Sequence, residues 1–132
     1  MKEWLVRIGL SALAALAPIH AIMISVGVLI AVDLATGMMA ANRRGEKLSS
    51  AAMRRTVSKI LVYQLAVISG FIVEKYMLSN VLPISKMVAG VIGMVELKSI
   101  LENSNTVVGQ DIFKMIIGKL GSDNDKKDEG QK

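Results

Sequence analysis

Hydrophobic residues dominate the first third of the chain. From Ile8 to Val32, twenty-five consecutive residues include no Asp, Glu, Lys or Arg. About 20 apolar residues are enough for a helix to cross the roughly 30 Å of hydrocarbon in a bilayer. Pro18 divides the run, because proline disfavours helix at the residue before it. The pattern therefore predicts a first helix over 4–17 and a membrane span over about 19–41.

Two more apolar stretches follow, and they are separated by Pro83. Ser49 or Ser50 can cap the helix that leads into the first of them. The predicted spans cover 57–78 and 84–98, and an amphipathic helix follows over 109–120. The charged segment 121–132 has few apolar residues and is predicted to be disordered. The fold class predicted for domain 1–120 is an all-α integral membrane helical bundle, with about three transmembrane helices plus a C-terminal amphipathic helix.

The charge pattern predicts the orientation in the membrane. Residues 42–59 include six basic residues and one acid, so this segment carries the whole net charge of +5. Short loops rich in Lys and Arg stay on the cytoplasmic side. Three crossings then place the N-terminus outside and the C-terminal helix inside, whereas a crossing by the first helix moves the N-terminus inside. The residues of this membrane-surface basic loop are Arg43, Arg44, Lys47, Arg54, Arg55 and Lys59.

A signal peptide is a second interpretation of the N-terminus. Ala15-Leu16-Ala17 has the small-residue spacing of a cleavage site. Pro18 would then be the first mature residue, which signal peptidases tolerate poorly, and the apolar run continues too far for a signal sequence. The pattern favours an uncleaved chain.

A few polar residues interrupt the apolar segments. Asp33 lies inside the strongest span, where a carboxylate costs about 2.5–3.5 kcal/mol on insertion scales. It either stabilises a helix contact or lines an aqueous path. Glu96 begins a polar stripe that either faces solvent or meets Asp33 or a basic side chain such as Arg54, Arg55 or Lys59. The residues predicted to line a pore or to pack helices are Asp33, Thr36, Gly37, Glu96, Ser99 and Asn103.

The composition excludes several kinds of chemistry. The chain has no cysteine and a single histidine, His20, so thiolate sites and histidine clusters are absent from the sequence. His20 is expected to be an interfacial hydrogen-bonding residue rather than a metal ligand or proton relay. No phosphate-binding glycine loop and no nucleophile with its base are found. The sequence predicts no enzyme activity, cofactor or metal. The basic loop lacks interleaved aromatic residues, so anionic lipid rather than nucleic acid is its expected partner.

Several of these features occur together in one known family. Asp33-Leu-Ala-Thr36-Gly37 ends a span, a basic loop with Ser49-Ser50 follows, and Lys59 lies in the next helix. Further on come Glu96-Leu-Lys-Ser-Ile-Leu-Glu-Asn103 and then Gly109. The series resembles the toxin-secretion/phage-lysis holin family over roughly residues 20–120. The family often has a proline-containing turn after the late glycine, whereas here Gln110-Asp111-Ile112 leads into a helix.

The resemblance implies a phage-encoded or prophage-encoded protein of the bacterial (host) cytoplasmic membrane. Such a protein forms homo-oligomers in the phospholipid bilayer and opens lesions that give an endolysin access to the cell wall. The alternative is an accessory membrane protein: an antiholin, a toxin-release factor or a membrane anchor for a lysis enzyme. A soluble helical bundle is a further alternative, and a transporter or enzyme would need a substrate site that the sequence does not show.

Overall fold

The computed structural model describes residues 2–47, 49–112 and 114–120, which contain helices and no strand. A 3₁₀ turn, Ala17–Ile19, precedes the second helix, and a π-helical turn, Val73–Met77, extends the third. The predicted all-α class is therefore confirmed. The helices are α1 (Lys2–Ala15), α2 (His20–Arg43), α3 (Ser50–Ile72) and α4 (Ile84–Val108).

Local sequence signals set the helix ends. The Ser49 side chain accepts a hydrogen bond from the Ala52 backbone N at 3.3 Å, which caps α3. Gly45 follows the end of α2 with φ of 72°, and Gly109 ends α4 with φ of 71°. Glycine adopts this left-handed conformation without a steric penalty from Cβ.

Two helices are longer than the predicted spans. The α3 helix begins at Ser50, seven residues before the predicted span 57–78, and α4 continues ten residues beyond the predicted span 84–98. Hydropathy locates only the apolar part of a helix, whereas backbone hydrogen bonding continues through its polar ends. Because Gly109 closes α4, the next helical residues are Ile112 and 114–120 rather than 109–120. The predicted disordered tail, 121–132, lies outside the described residues.

Helices α2, α3 and α4 pack against one another, and α2 and α4 share the most extensive contact. No residue of α1 is buried. At 1.5 Å per residue, the 14 residues of α1 extend about 21 Å. The buried apolar core consists of Ile19, Val26, Ile30, Val67, Phe71 and Ile92.

Among the described residues, two helical stretches are long and apolar enough to cross a membrane. They are Ala17–Arg43, with 27 residues, and Ser50–Met77, with 28 residues. Helix α4 has 25 residues but includes four charged side chains, those of Lys86, Glu96, Lys98 and Glu102. A third crossing therefore stays a prediction, as does a membrane-surface role for the amphipathic segment.

The α3–α4 hairpin is fastened by Glu74 and Ser85. The Glu74 carboxylate accepts hydrogen bonds from the Ser85 backbone N at 2.9 Å and from the Ser85 hydroxyl at 2.5 Å. Ser85 lies in the first turn of α4 and is 2% exposed. A carboxylate at this position satisfies a backbone donor that has no partner within the helix and faces the positive end of its dipole.

Gly70 permits the close approach of α3 to α4. A Cβ atom at this position would lie 3.3 Å from Val88 Cγ2 and 3.4 Å from the Ser85 Cα. Gly70→Leu should therefore lower the free energy of unfolding in detergent by about 1–3 kcal/mol, the usual cost of overpacking. Gly90→Leu is the matched control, because a Cβ at Gly90 meets no atom within 4 Å. Equal free energies of unfolding for the two variants would contradict this account of the contact.

Candidate functional site

One charged group from each of α2, α3 and α4 meets inside the bundle. The Lys59 Nζ lies 2.8 Å from Asp33 Oδ2 and 2.8 Å from Glu96 Oε2. The three residues, called here the charged cluster, are separated by 26 and 37 positions in sequence. The cluster is therefore a product of tertiary packing and joins all three helices at one level.

The charged cluster is largely removed from solvent. The exposed side-chain fraction is 0% for Glu96, 14% for Asp33 and 31% for Lys59. Taking charges out of water is costly, so buried carboxylates and ammonium groups need partners. Both carboxylates pair with the same ammonium group, so both depend on the position of Lys59 for a charged partner.

An amide extends the polar contacts from α4 to α2. The Asn103 Nδ2 donates to Asp33 Oδ1 at 3.2 Å and to Thr36 Oγ1 at 3.4 Å. Gly37 leaves room for this amide, since a Cβ at position 37 would lie 3.4 Å from the same nitrogen. Small and polar residues on one face of α2 thus allow α4 to approach closely.

The charged cluster has more negative than positive groups. It contains two carboxylates and one ammonium, and Glu96 Oε1 is buried with no hydrogen-bond partner among the described residues. Loss of either carboxylate leaves one ion pair of balanced charge. Loss of Lys59 leaves two carboxylates facing each other. The stability of the cluster therefore depends most on Lys59.

An open cavity of about 380 Å³, called here the vestibule, extends from the basic loop to the charged cluster. Asp33, Lys59 and Asn103 line one part of it. The loop contributes Arg44 and Glu46, whose side chains form two hydrogen bonds of 2.7 and 3.1 Å. The hydrogen bond from Arg44 lowers the pKa of the exposed Glu46 carboxylate.

The amino-acid sequence of most of the chain matches one known family of proteins. Residues 12–122 match the model of the bacteriophage holin family. The chain belongs to the bacteriophage holin family. The matched range contains all of α2, α3 and α4 and the whole charged cluster. Family membership confirms the resemblance drawn from the Asp33 and Glu96 segments. No curated protein and no solved structure matches this holin-family chain significantly.

The structure brings most of the predicted polar residues of this holin-family protein together. Asp33, Thr36 and Asn103 share hydrogen bonds, and Glu96 joins them through Lys59. Gly37 borders the Asn103 amide, and Ser99 lines the vestibule. Glu96 thus meets a basic side chain within the bundle, the second of the two arrangements considered from the sequence. Whether any of these residues lines a pore stays a prediction.

The six basic residues do not form one surface. The sequence pattern predicts Lys59 as part of the membrane-surface basic loop, but the structure places its ammonium between two carboxylates inside the bundle. It extends from the face of α3 that also carries Ala52 and Thr56 toward the vestibule. Helical periodicity places Lys59 on the same face of α3 as Ala52 and Thr56. It does not reveal the two carboxylates that pair with Lys59, because they come from α2 and α4. Arg44 and Arg55 line the vestibule, whereas Arg43 and Arg54 do not.

The charged cluster is suited to holding helices together rather than to bond chemistry. Among the described residues, no group of three or more His, Asp or Glu side chains is placed to hold a metal ion. The holin family is not an enzyme family. Together with the two apolar helices, family membership indicates a membrane protein.

Proposed function

We propose that this chain is a phage holin that accumulates in the bacterial cytoplasmic membrane, forms homo-oligomers and opens lesions through which an endolysin reaches the cell wall. The observation that carries the proposal is the charged cluster of Asp33, Lys59 and Glu96, whose ion pairs form between the helices of a single copy. Family membership and the two apolar helices support the same role.

A single copy presents an apolar exterior to lipid. Large side chains of α2, α3 and α4 point away from the bundle, and their exposed fractions are about half or more. Because Lys59 pairs with both carboxylates inside the bundle, one copy can remain in the bilayer without forming an aqueous path. The exposed apolar side chains include Ile24, Val28, Leu61, Val62, Leu65, Val91 and Met94.

Lesion formation then requires the cluster to exchange its internal partners for water. Separating α4 from α2 breaks the Asn103–Asp33 hydrogen bond and exposes the carboxylates. In one isolated copy this opening places charge against hydrocarbon and is unfavourable. When many copies assemble, their opened polar faces can surround common water, so the penalty falls as the number of neighbours rises. The proposal therefore predicts accumulation without leakage, followed by opening once enough copies have assembled.

The proposed topology has three crossings, with α4 as the third. The Glu74–Ser85 contact turns the chain back, so α4 runs antiparallel to α3. Its 25 residues extend about 37 Å at 1.5 Å per residue, which exceeds the hydrocarbon thickness. Glu96 is paired within the bundle, and Lys98 lies 3.7 Å from Glu102 near the same end as the basic loop. That end is cytoplasmic by the distribution of basic residues.

Asp33→Leu tests the role of the charged cluster in lysis. The variant should insert as well as the natural chain, because leucine is favourable at membrane depth. Lys59 would then pair with Glu96 alone, which balances the charge and removes a polar group from the opened face. We expect lysis to be delayed or lost, measured as the time from induction to collapse of the membrane potential with a potential-sensitive dye.

Glu102→Leu is the matched control for Asp33→Leu, because it also removes one carboxylate but from an exposed position. The time from induction to collapse of the membrane potential should stay close to that of the natural chain. If Asp33→Leu collapsed the potential at the natural time with the same amount of protein in the membrane, the cluster would have no role in opening.

Expression of the natural chain alone separates the holin role from that of an accessory membrane protein. A holin would collapse the membrane potential, whereas an accessory protein would leave the potential intact.

A further inference from the structure

We propose that the vestibule binds the phosphate group of an anionic phospholipid, held by Arg55 and Lys47. The inference goes beyond lesion formation and does not depend on it, because a lipid site can fill in a single closed copy. It also differs from general attraction of a basic loop to the membrane, since it assigns binding to particular basic residues and excludes their neighbours.

Charge pairing around the vestibule leaves two cations available. Four basic side chains and two carboxylates, Asp33 and Glu46, contribute to its lining. Glu46 binds Arg44, and Asp33 binds Lys59. In the part of the chain that the structure describes, neither Arg55 nor Lys47 makes an ion pair or a side-chain hydrogen bond. Arg55 and Lys47 are therefore two positive side chains of the vestibule without an acceptor among the described residues, and a phosphate group would supply an acceptor for both.

Helical geometry separates Arg55 from its neighbour in sequence. Arg55 shares the vestibule-facing side of α3 with Ala52 and Lys59, at spacings of three and four residues. Arg54 and Arg55 both line a shallow groove beside Ser58 and Val62, but only Arg55 also lines the vestibule. Arg54 and Arg55 carry the same charge at adjacent positions, but only the Arg55 side chain is placed to contact a ligand in the vestibule.

The other lining groups suit an amphiphile better than a simple anion. Leu34 and Met38 give the vestibule an apolar wall on α2, while Ser49 and Ser99 add hydroxyl groups. The volume of about 380 Å³ falls in the range of sites for small organic ligands. A lipid headgroup with its glycerol unit can place phosphate against the cations and carbon against the apolar wall.

The depth of the vestibule also matches a lipid. Asp33 lies ten residues before Arg43 on α2, which corresponds to about 15 Å along the helix axis. The vestibule therefore extends from the loop through the level of the headgroups, which occupy roughly 5–8 Å on each side of the hydrocarbon. Lipid phosphate already resides at this level, whereas free phosphate would enter from the aqueous side.

Binding of short-chain phosphatidylglycerol to the purified full-length chain tests the proposal, in a maltoside detergent that carries no phosphate. Arg55→Gln should weaken this binding about ten-fold, a typical effect of losing hydrogen bonds to a charged group. The matched variant Arg54→Gln removes the same charge from the adjacent position and should change binding about two-fold or less. Lys47→Gln and Arg43→Gln form a second matched pair outside α3, which keeps the test decisive if Arg55→Gln alters folding.

Two further probes identify the source of the phosphate group. Diacylglycerol with the same acyl chains should bind far more weakly than phosphatidylglycerol, because it lacks phosphate. Competition by inorganic phosphate at similar concentration would show that the vestibule takes phosphate from solution, whereas failure to compete assigns it to lipid. Equal losses for Arg54→Gln and Arg55→Gln, or equal binding of diacylglycerol, would overturn the proposal in favour of general surface charge.

Discussion

Lys59→Met is expected to lower the free energy of unfolding by about 3–5 kcal/mol, the typical cost of removing one partner from a buried ion pair. The substitution keeps a flexible, apolar side chain of similar length but removes the ammonium that Asp33 and Glu96 share. Two carboxylates would remain close together, one of them with a fully buried side chain. Denaturant titration in mixed detergent and lipid micelles, followed by far-ultraviolet circular dichroism, measures the change.

Four further variants make this result specific to the charged cluster. Lys98→Met removes an exposed lysine whose ion pair with Glu102 is long, at 3.7 Å, and should cost about 1 kcal/mol or less. Asp33→Asn and Glu96→Gln should each cost less than Lys59→Met, since a balanced ion pair remains. The triple variant K59M/D33L/E96L should recover stability, because apolar residues often replace buried ion pairs well. If Lys59→Met were no more destabilised than Lys98→Met, the cluster would not hold the bundle together.

A reversible cross-link between α2 and α4 should abolish lesion formation. A Cβ at Gly37 would lie 4.0 Å from Asn103 Cγ, so G37C/N103C places two thiols within reach of a disulfide. The natural chain has no cysteine, so no other disulfide can form within one copy. Oxidation would fasten the contact whose separation we propose for opening. Release of a trapped dye from liposomes at high protein density should fall to background when the variant is oxidised and return after reduction.

The reduced form of the same variant is the control for the cross-link, because both substitutions are present and only the disulfide is absent. The single variants G37C and N103C, treated with oxidant, report any effect of oxidation itself. Dye release from the oxidised double variant at the rate of its reduced form would show that α2 and α4 stay together during leakage. The lesion would then have to form between intact bundles.

Some features of the fold could be predicted from sequence because they depend on nearby residues. The apolar run before Asp33, the break at Pro18 and the capping residue Ser49 act within a few positions. The polar ends of the helices are harder to locate from sequence, since hydropathy falls before the helix stops. The start of α3 at Ser50 shows this difference.

The pairing of charges could not be predicted to the same degree. Spacing places Asp33 with Thr36, and Glu96 with Asn103, but it does not say which faces meet. Lys59 resembled the other basic residues near it because its partners lie 26 and 37 positions away. The Glu74–Ser85 contact likewise depends on how α3 turns into α4. These features follow from packing, which local pattern does not specify.

The distance between two polar levels on α3 has a consequence for the surrounding lipid. Lys59 and Glu74 are fifteen residues apart, which corresponds to about 22 Å along the helix. In the proposed topology α3 crosses the membrane, so a bilayer with roughly 30 Å of hydrocarbon would have to compress locally to match this short apolar band. Each ångström of mismatch costs a fraction of a kcal/mol. Neighbouring copies that share one compressed patch divide this elastic energy among them. Membrane deformation would therefore draw copies together before any of them opens.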